Sequence, residues 1–238
     1  MSAKTYLWIE DRIEKSGYKF WTTLMNELCP EVIVESKTNS WELVKAVKGL
    51  TDKENKYIIA LDNSFDNVQV YMEQKILKEA AGIRDNVFML NLICFEYVLL
   101  EFNKLIDWIY APEDEFREKR SRAIAAREKL VQIIKTGEMN YKAIQEIMDY
   151  DKHLDNHNIE QLSAKLLFDL TRNTGFEVSK GNLGECWRKD CCKWFDRQED
   201  DICGLDRSRL TLSEKMKSIY WGTALCSEFK NVGLEVLA

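Results

Sequence analysis

Proline and histidine are scarce, 2 of each among 238 residues, and glycine is limited to 10. So little Pro and Gly excludes collagen-like and low-complexity chains. With 45% apolar residues the chain is also too hydrophobic to be largely disordered. Long hydrophobic runs are missing too. The longest, Val87–Leu100, is interrupted by Asn91 and Glu96, short of the roughly 18 apolar residues that suggest a membrane span. The opening Met-Ser-Ala-Lys-Thr-Tyr-Leu-Trp-Ile meets Glu10 and Asp11 before an export-signal core can form. Both features predict a cytosolic protein without membrane association. A basic excess is likewise absent: 34 Lys+Arg stand against 40 Asp+Glu, a net charge of −6. Such a chain lacks the broad positive footprint of a duplex-coating protein, although a metal ion or a local basic patch can still neutralise phosphate. No Gly-x-Gly-x-x-Gly or Walker-type loop occurs, so the chain is not itself a recognisable dehydrogenase or ATPase. Nor does a Ser-His-Asp or Cys-His arrangement stand out. The seven cysteines, an odd number without an export signal, read as reduced thiols.

What is present in the first half is alternation. Thr5–Ile9, Val32–Val34, Tyr57–Leu61 and Asn86–Leu90 are short apolar or β-branched runs that predict strands. Between them lie helical patterns: Tyr18–Leu28, a helix capped by Asn39 with Glu42 and closed at Gly49, a helix near Val70–Ala81, and Phe95–Ile109. Continuous apolar strands alternating with helices predict an α/β fold with a mostly parallel, Rossmann-like sheet covered on both faces. Ala111-Pro-Glu-Asp-Glu is a polar break, which predicts a domain over residues 1–111 and a mainly helical one over 112–238. In the second half Asn158 with Gln161, and Thr211 with Glu214, read as capping boxes. The six Lys and Arg of Arg117–Lys129 read most simply as a solvated helix face, with phosphate contact as the alternative.

The informative feature is where the carboxylates fall. The first strand runs into Glu10 and Asp11, the third into Asp62 with Asp66 a turn later, and Glu96 follows the fourth. Parallel strands of a doubly wound sheet end on one edge, where such folds bind ligands. Glu10, Asp62 and Glu96 are therefore expected to converge there. Carboxylates brought together raise one another's pKa unless a cation neutralises them, and an oxygen-only donor set suits Mg²⁺ or Mn²⁺. Each acid taken singly has a plainer reading as a helix cap, and for Asp66 and Glu101 a solvated or capping role is the simpler expectation.

These residues carry a resemblance. Tyr-Leu-Trp-Ile-Glu10, an amphipathic helix, then Ile-Ile-Ala-Leu-Asp62-Asn-Ser64-Phe-Asp66 resembles the TOPRIM fold, which places a Glu after strand one and an Asp-x-Asp pair after strand three. The run Leu90-Asn-Leu-Ile-Cys-Phe-Glu96-Tyr-Val-Leu-Leu-Glu-Phe102 is similar to a later segment of RloB-type and OLD-type TOPRIM proteins. The resemblance spans residues 4–109. It implies Mg²⁺-dependent phosphodiester cleavage of RNA or DNA, in bacterial anti-phage systems paired with an ATPase. It also implies that Glu10, Asp62 and Glu96 are catalytic, and that Glu10, Asp62, Asp66 and Glu96 are metal ligands. Two departures stand out: Ser64 occupies the place of the second Asp, and Asp11 that of the usual Gly. A hydroxyl is the weaker ligand, so metal affinity drops unless Asp66 takes over. Lys15, Lys19 or the basic helical face would orient the phosphate.

Other constellations compete. Cys186, Cys191, Cys192 and Cys203 lie within 18 residues, and four thiols could close a structural Zn²⁺ site. Their spacing is not the paired Cys-x-x-Cys of strong zinc motifs, so buried or incidental cysteines are the simpler expectation, with Trp187, Trp194 and Phe195 as core anchors. Cys29, Cys94 and Cys226 read as core. His153 and His157, with Asp151 or Asp155, could share a metal, yet fit an exposed helix end better. Two other functional classes remain in view. A receiver-like domain phosphorylated at Asp62 would use Glu10 and Asp11 in the same way, but Asn91 stands where it needs Ser or Thr and a fifth strand is not evident. A TOPRIM-derived module that binds a partner without catalysis would explain Ser64. Homo-oligomerisation is left open.

Overall fold

The computed structural model describes residues 3–63, 68–109, 120–137, 141–150, 159–172, 176–179, 182–184, 187 and 210–236. Four parallel strands, β1 (Thr5–Ile9), β2 (Val32–Ser36), β3 (Lys56–Ala60) and β4 (Val87–Met89), form one sheet in the order β2-β1-β3-β4. The register sets Ile9 opposite both Ser36 and Ala60, and Ile59 opposite Met89. All four strands therefore terminate along one edge.

The strand residues alternate between two cores, as a pleated backbone requires. Leu7, Ile9, Ile58 and Ala60 enter one core. Trp8, Tyr57, Ile59 and Leu61 enter the other with Leu43, Val44, Val47, Leu77, Ala80 and Ala81. These last six belong to α2 (Ser40–Gly49) and α3 (Val68–Gly82), which pack together over that face. The first face carries α1 (Ser16–Leu28) and α4 (Phe95–Glu101), and the helices of the second half continue its core. After the short α5 (Leu105–Trp108), which closes the first half, those helices are α6 (Ser121–Thr136), α7 (Tyr141–Met148), α8 (Ile159–Thr171), α9 (Leu212–Trp221) and α10 (Leu225–Asn231). A short antiparallel pair, β5 (Val178–Ser179) and β6 (Asn182–Leu183), lies beyond α8. The architecture is α/β with a four-stranded parallel sheet.

Helix α8 packs along α4, and α9 along α1, so one buried core crosses residue 111. Aromatic rings follow one another through it, from Phe102 to Trp108 (4.8 Å), to Phe176 (6.2 Å), to Trp187 (4.6 Å). The Trp187 ring nitrogen donates to the Phe176 carbonyl at 2.7 Å. An indole is buried at no polar cost when its N–H is paired, so Trp187 is the core anchor its position predicts.

Local signals act as the sequence predicts at several termini. Asn39 accepts from the Glu42 N–H at 2.9 Å, and Thr211 and Glu214 form a reciprocal capping box. Two readings change. Phe95–Ile109 is not one helix: α4 stops at Glu101 because Phe102 is extended (φ −60°, ψ 117°), and α5 restarts at Leu105. The basic stretch is a solvated face only in part: Arg122 and Lys129 are exposed, while two of its arginines are drawn inward. Arg120 is fully buried and donates to the Leu170 and Arg172 carbonyls at 2.6 and 2.9 Å. Arg127 donates to the Leu100 and Phe102 carbonyls at 2.7 and 2.9 Å. Both guanidinium groups thus satisfy carbonyls left over at helix C-termini, where positive charge is favoured. Arg117 and Lys119 lie outside the described residues. Among the described residues, no helix is long and apolar enough to cross a membrane.

Candidate functional site

Strand order β2-β1-β3-β4 makes the gap between β1 and β3 the point where successive connections leave in opposite directions. In open α/β sheets that crevice, beyond the C-terminal strand ends, is where ligands bind. Glu10 and Asp11 follow β1 there, and Asp62 follows Leu61 at the end of β3. The Asp62 backbone N–H donates to Glu10 Oε1 at 2.7 Å, which bridges the two strand ends. The Asp62 carbonyl accepts from Gln74 Nε2 at 2.8 Å, tying the same loop to α3. Glu96 arrives from the first turn of α4, which Cys94 opens by accepting the Tyr97 N–H on its sulfur.

The electrostatics show how closely these groups meet. Burial pushes Glu10 up to about 8, against the Asp62 N–H and with further repulsion from Asp11, Glu160 and Glu73. Burial also pushes Glu96 up to about 8, opposed by its own backbone N–H and by the Cys94 thiol, and raised further by Asp11 and Glu160. Asp62 is raised well above the usual carboxylate range by burial and then by Glu10, Glu96, Glu160 and Asp11. Asp11 rises to about 6 through burial and Glu160, while Lys15 pulls it down. The structure therefore brings Glu10, Asp62 and Glu96 into one field and adds Asp11 and Glu160. All five are half-buried. Full ionisation of such a group is unfavourable unless protons or a cation balance it.

Two contributors have no signature in the sequence. Glu160 sits in the first turn of α8, in the second half of the chain. A Glu at a helix start looks like any dipole-favoured acid, and only the docking of α8 onto α4 carries it to the sheet edge. Gly17, in the first turn of α1, is the other. A Cβ there would stand 2.0 Å from Asp11 Oδ2, so glycine alone lets that carboxylate lie against the helix.

The donor set is chemically suited to a hard divalent cation, being all carboxylate oxygen. Glu96 Oε2 is buried with no hydrogen-bond partner, the state expected of an atom whose partner is a ligand. As the side chains lie, however, no three His, Cys, Asp or Glu among the described residues stand close enough to enclose an ion. Glu10 Oε1 is instead engaged with the Asp62 N–H. Ser64 and Asp66 are outside the described residues, as are Cys186, Cys191, Cys192, Cys203, His153 and His157. Of the remaining thiols, Cys29 and Cys94 are buried and Cys226 is half-buried. Glu101 is a buried cap rather than a solvated acid: it accepts the Ala224 N–H at 2.6 Å where α10 begins.

No family model matches the chain, and neither does any curated protein or solved structure.

Proposed function

We propose that the chain is a Mg²⁺- or Mn²⁺-dependent phosphodiesterase of nuclease type, a TOPRIM-like α/β unit acting on RNA or DNA. One observation carries this reading: Glu10, Asp62 and Glu96 share one field at the sheet's ligand-binding edge, and Glu96 Oε2 is buried without a partner. Glu10, Asp62 and Glu96 would hold the cation, with Asp66 as a further candidate. The cation would supply charge neutralisation and Lewis acidity at the phosphate. The chain's own residues do the rest. The Asp62 N–H fixes the orientation of Glu10. Without a cation, burial raises Asp11 to about 6 and Glu96 to about 8, and a bound divalent ion would draw both back toward the ionised form that ligates it. Lys15, which already bears on Asp11, is the nearby cation suited to a phosphate oxygen. A role in anti-phage defence beside an ATPase partner rests on the likeness to RloB-type and OLD-type proteins.

A second reading, the non-catalytic partner-binding module, is favoured by the lack of three ligating side chains at enclosing distance among the described residues. Incubating the purified chain with RNA, single-stranded DNA and duplex DNA, with and without Mg²⁺ or Mn²⁺, separates the two. Cleavage that requires metal and disappears in Glu10→Ala and Asp62→Ala is expected. Cleavage that persists in both variants, or in chelator, would overturn the proposal. Absence of cleavage together with tight binding to another chain would favour the module, and phosphoryl transfer from a small donor onto Asp62 would favour a receiver.

A further inference from the structure

Of the clustered acids, Glu10, Asp11, Asp62 and Glu96 belong to the sheet edge and to α4, whereas Glu160 comes from the other half of the chain, in the first turn of α8. The dipole at a helix start favours an acid there, but a side chain turned to solvent serves that dipole equally well. Glu160 is instead half-buried and lies within electrostatic reach of the other four. Like charges gathered in this way oppose the docking that brings them together.

Packing fixes the placement. Helix α8 lies along α4, with Leu166 and Leu170 buried in the same core as Val98 and Leu99. The last carbonyls of both helices are taken by arginines of one segment, those of α8 by Arg120 and those of α4 by Arg127. The two C-terminal ends are thereby gathered beside α6, and the two first turns, with Glu160 and Glu96, lie at the opposite end, toward the sheet edge. Ser163, one turn after Glu160, is fully buried. Residues so spaced share a helix face, so Glu160 stands on the face of α8 that is turned inward. In the neighbouring first turn, Glu96 Oε2 is buried without a hydrogen-bond partner, a state that calls for a donor or a cation.

We propose that Glu160 is the ligand that the helical half contributes to the cation centre, so that a bound divalent ion fastens α8 to the sheet edge. The proposal rests on the cation reading above and deepens it by making the docking of the second half depend on the ion. Among the described residues no three acids stand at enclosing distance, so coordination has to draw the carboxylates inward. A ligand mounted on α8 carries that helix with it. By linkage, whatever affinity Glu160 adds for the ion, the ion adds to the docking of α8.

Mn²⁺ binding by calorimetry and amide hydrogen exchange are measured together on the full chain, in chelator and at saturating Mn²⁺. Glu160→Gln is expected to bind Mn²⁺ about tenfold more weakly, the scale of one carboxylate in the ligand set. In the parent, Mn²⁺ is expected to slow exchange across α8 by a similar factor, as reciprocity requires. In Glu160→Gln the saturating ion is expected to slow exchange at the ends of β1 and β3 but no longer across α8. Glu128→Gln, exposed on α6 and outside the site, is expected to match the parent in both measurements. In chelator Glu160→Gln should melt at the parent's temperature or above, because it removes a repelling charge. A variant that melts lower yet binds Mn²⁺ as the parent does marks Glu160 as a helix cap only and overturns the proposal. Mn²⁺ that leaves α8 exchange in the parent unchanged overturns it without any variant. Equal binding by parent and variant removes Glu160 alone and leaves the cation reading standing, whereas a parent that binds no Mn²⁺ removes that reading and the proposal with it.

Discussion

Replacing Glu96 by glutamine should stabilise the protein, and only above acidic pH. The ordinary glutamate value is 4.5, and in the fold Glu96 is pushed up to about 8, first by burial. The folded state therefore keeps a proton that the unfolded chain has lost between about pH 4.5 and pH 8. Stability from this group is fully present below 4.5 and is lost as pH climbs through 8. At about 1.4 kcal/mol per pH unit, the interval from 4.5 to 8 sets a ceiling of about 5 kcal/mol. Water reaching the half-buried side chain lowers that ceiling, and the substituted amide inherits the unpaired position of Oε2. A net gain of about 2–4 kcal/mol at pH 8.5 follows, with no gain at pH 4. For a chain of this size that is on the order of 5–15 °C in Tm. Thermal unfolding of both proteins from pH 4 to 9, in chelator, reads the difference directly. Parallel curves for the two proteins, or a variant less stable at pH 8.5, would refute the claim that Glu96 is an uncompensated buried acid.

Three further outcomes follow from the same structure. Glu160→Gln should lower the titration midpoints of Glu10, Asp11 and Glu96 together, since Glu160 raises all three; carboxyl-carbon NMR would follow this, and unmoved midpoints would place Glu160 outside the cluster. Gly17→Ala should cost about 1–3 kcal/mol of overpacking, because the new Cβ would meet Asp11 Oδ2 at 2.0 Å. Asp11→Ala in the same chain should recover most of the loss in denaturant melts, and additive costs would count against the contact. Arg127→Ala should cost about 2 kcal/mol or more, because two carbonyls at the end of α4 lose a charged donor; a loss below about 0.5 kcal/mol would return Arg127 to the solvated face that its sequence context suggests.

Much of the frame was legible because the signals are local. Apolar runs such as Tyr57–Leu61 gave strands within a residue of their bounds, and Asn39 and Thr211 marked helix starts by their own hydrogen-bonding chemistry. The meeting of Glu10 and Asp62 was also accessible, since parallel strands end on one edge whatever their separation in sequence. What escaped depends on docking between distant segments. Glu160 joins the cluster only because α8 packs on α4. Arg120 and Arg127 read as solvated because the carbonyls they cap belong to helix ends about 50 and 25 residues away. The break after Glu101 lacked a Pro or Gly to announce it; Phe102 turns extended while Arg127 takes up the freed carbonyls. At Gly17 the demand for glycine comes from the Asp11 carboxylate lying against it, a contact that no local pattern announces.

Titration of the metal-free protein with Mn²⁺ at pH 7, following bound ion and released protons together, tests the carboxylate centre most directly. Saturable binding should displace protons from Glu10, Asp62 and Glu96, tighten as pH rises from 6 to 8, and be lost in Asp62→Asn and Glu96→Gln. Binding that releases no proton, or that survives both substitutions, would contradict a cation centre at the junction of β1 and β3.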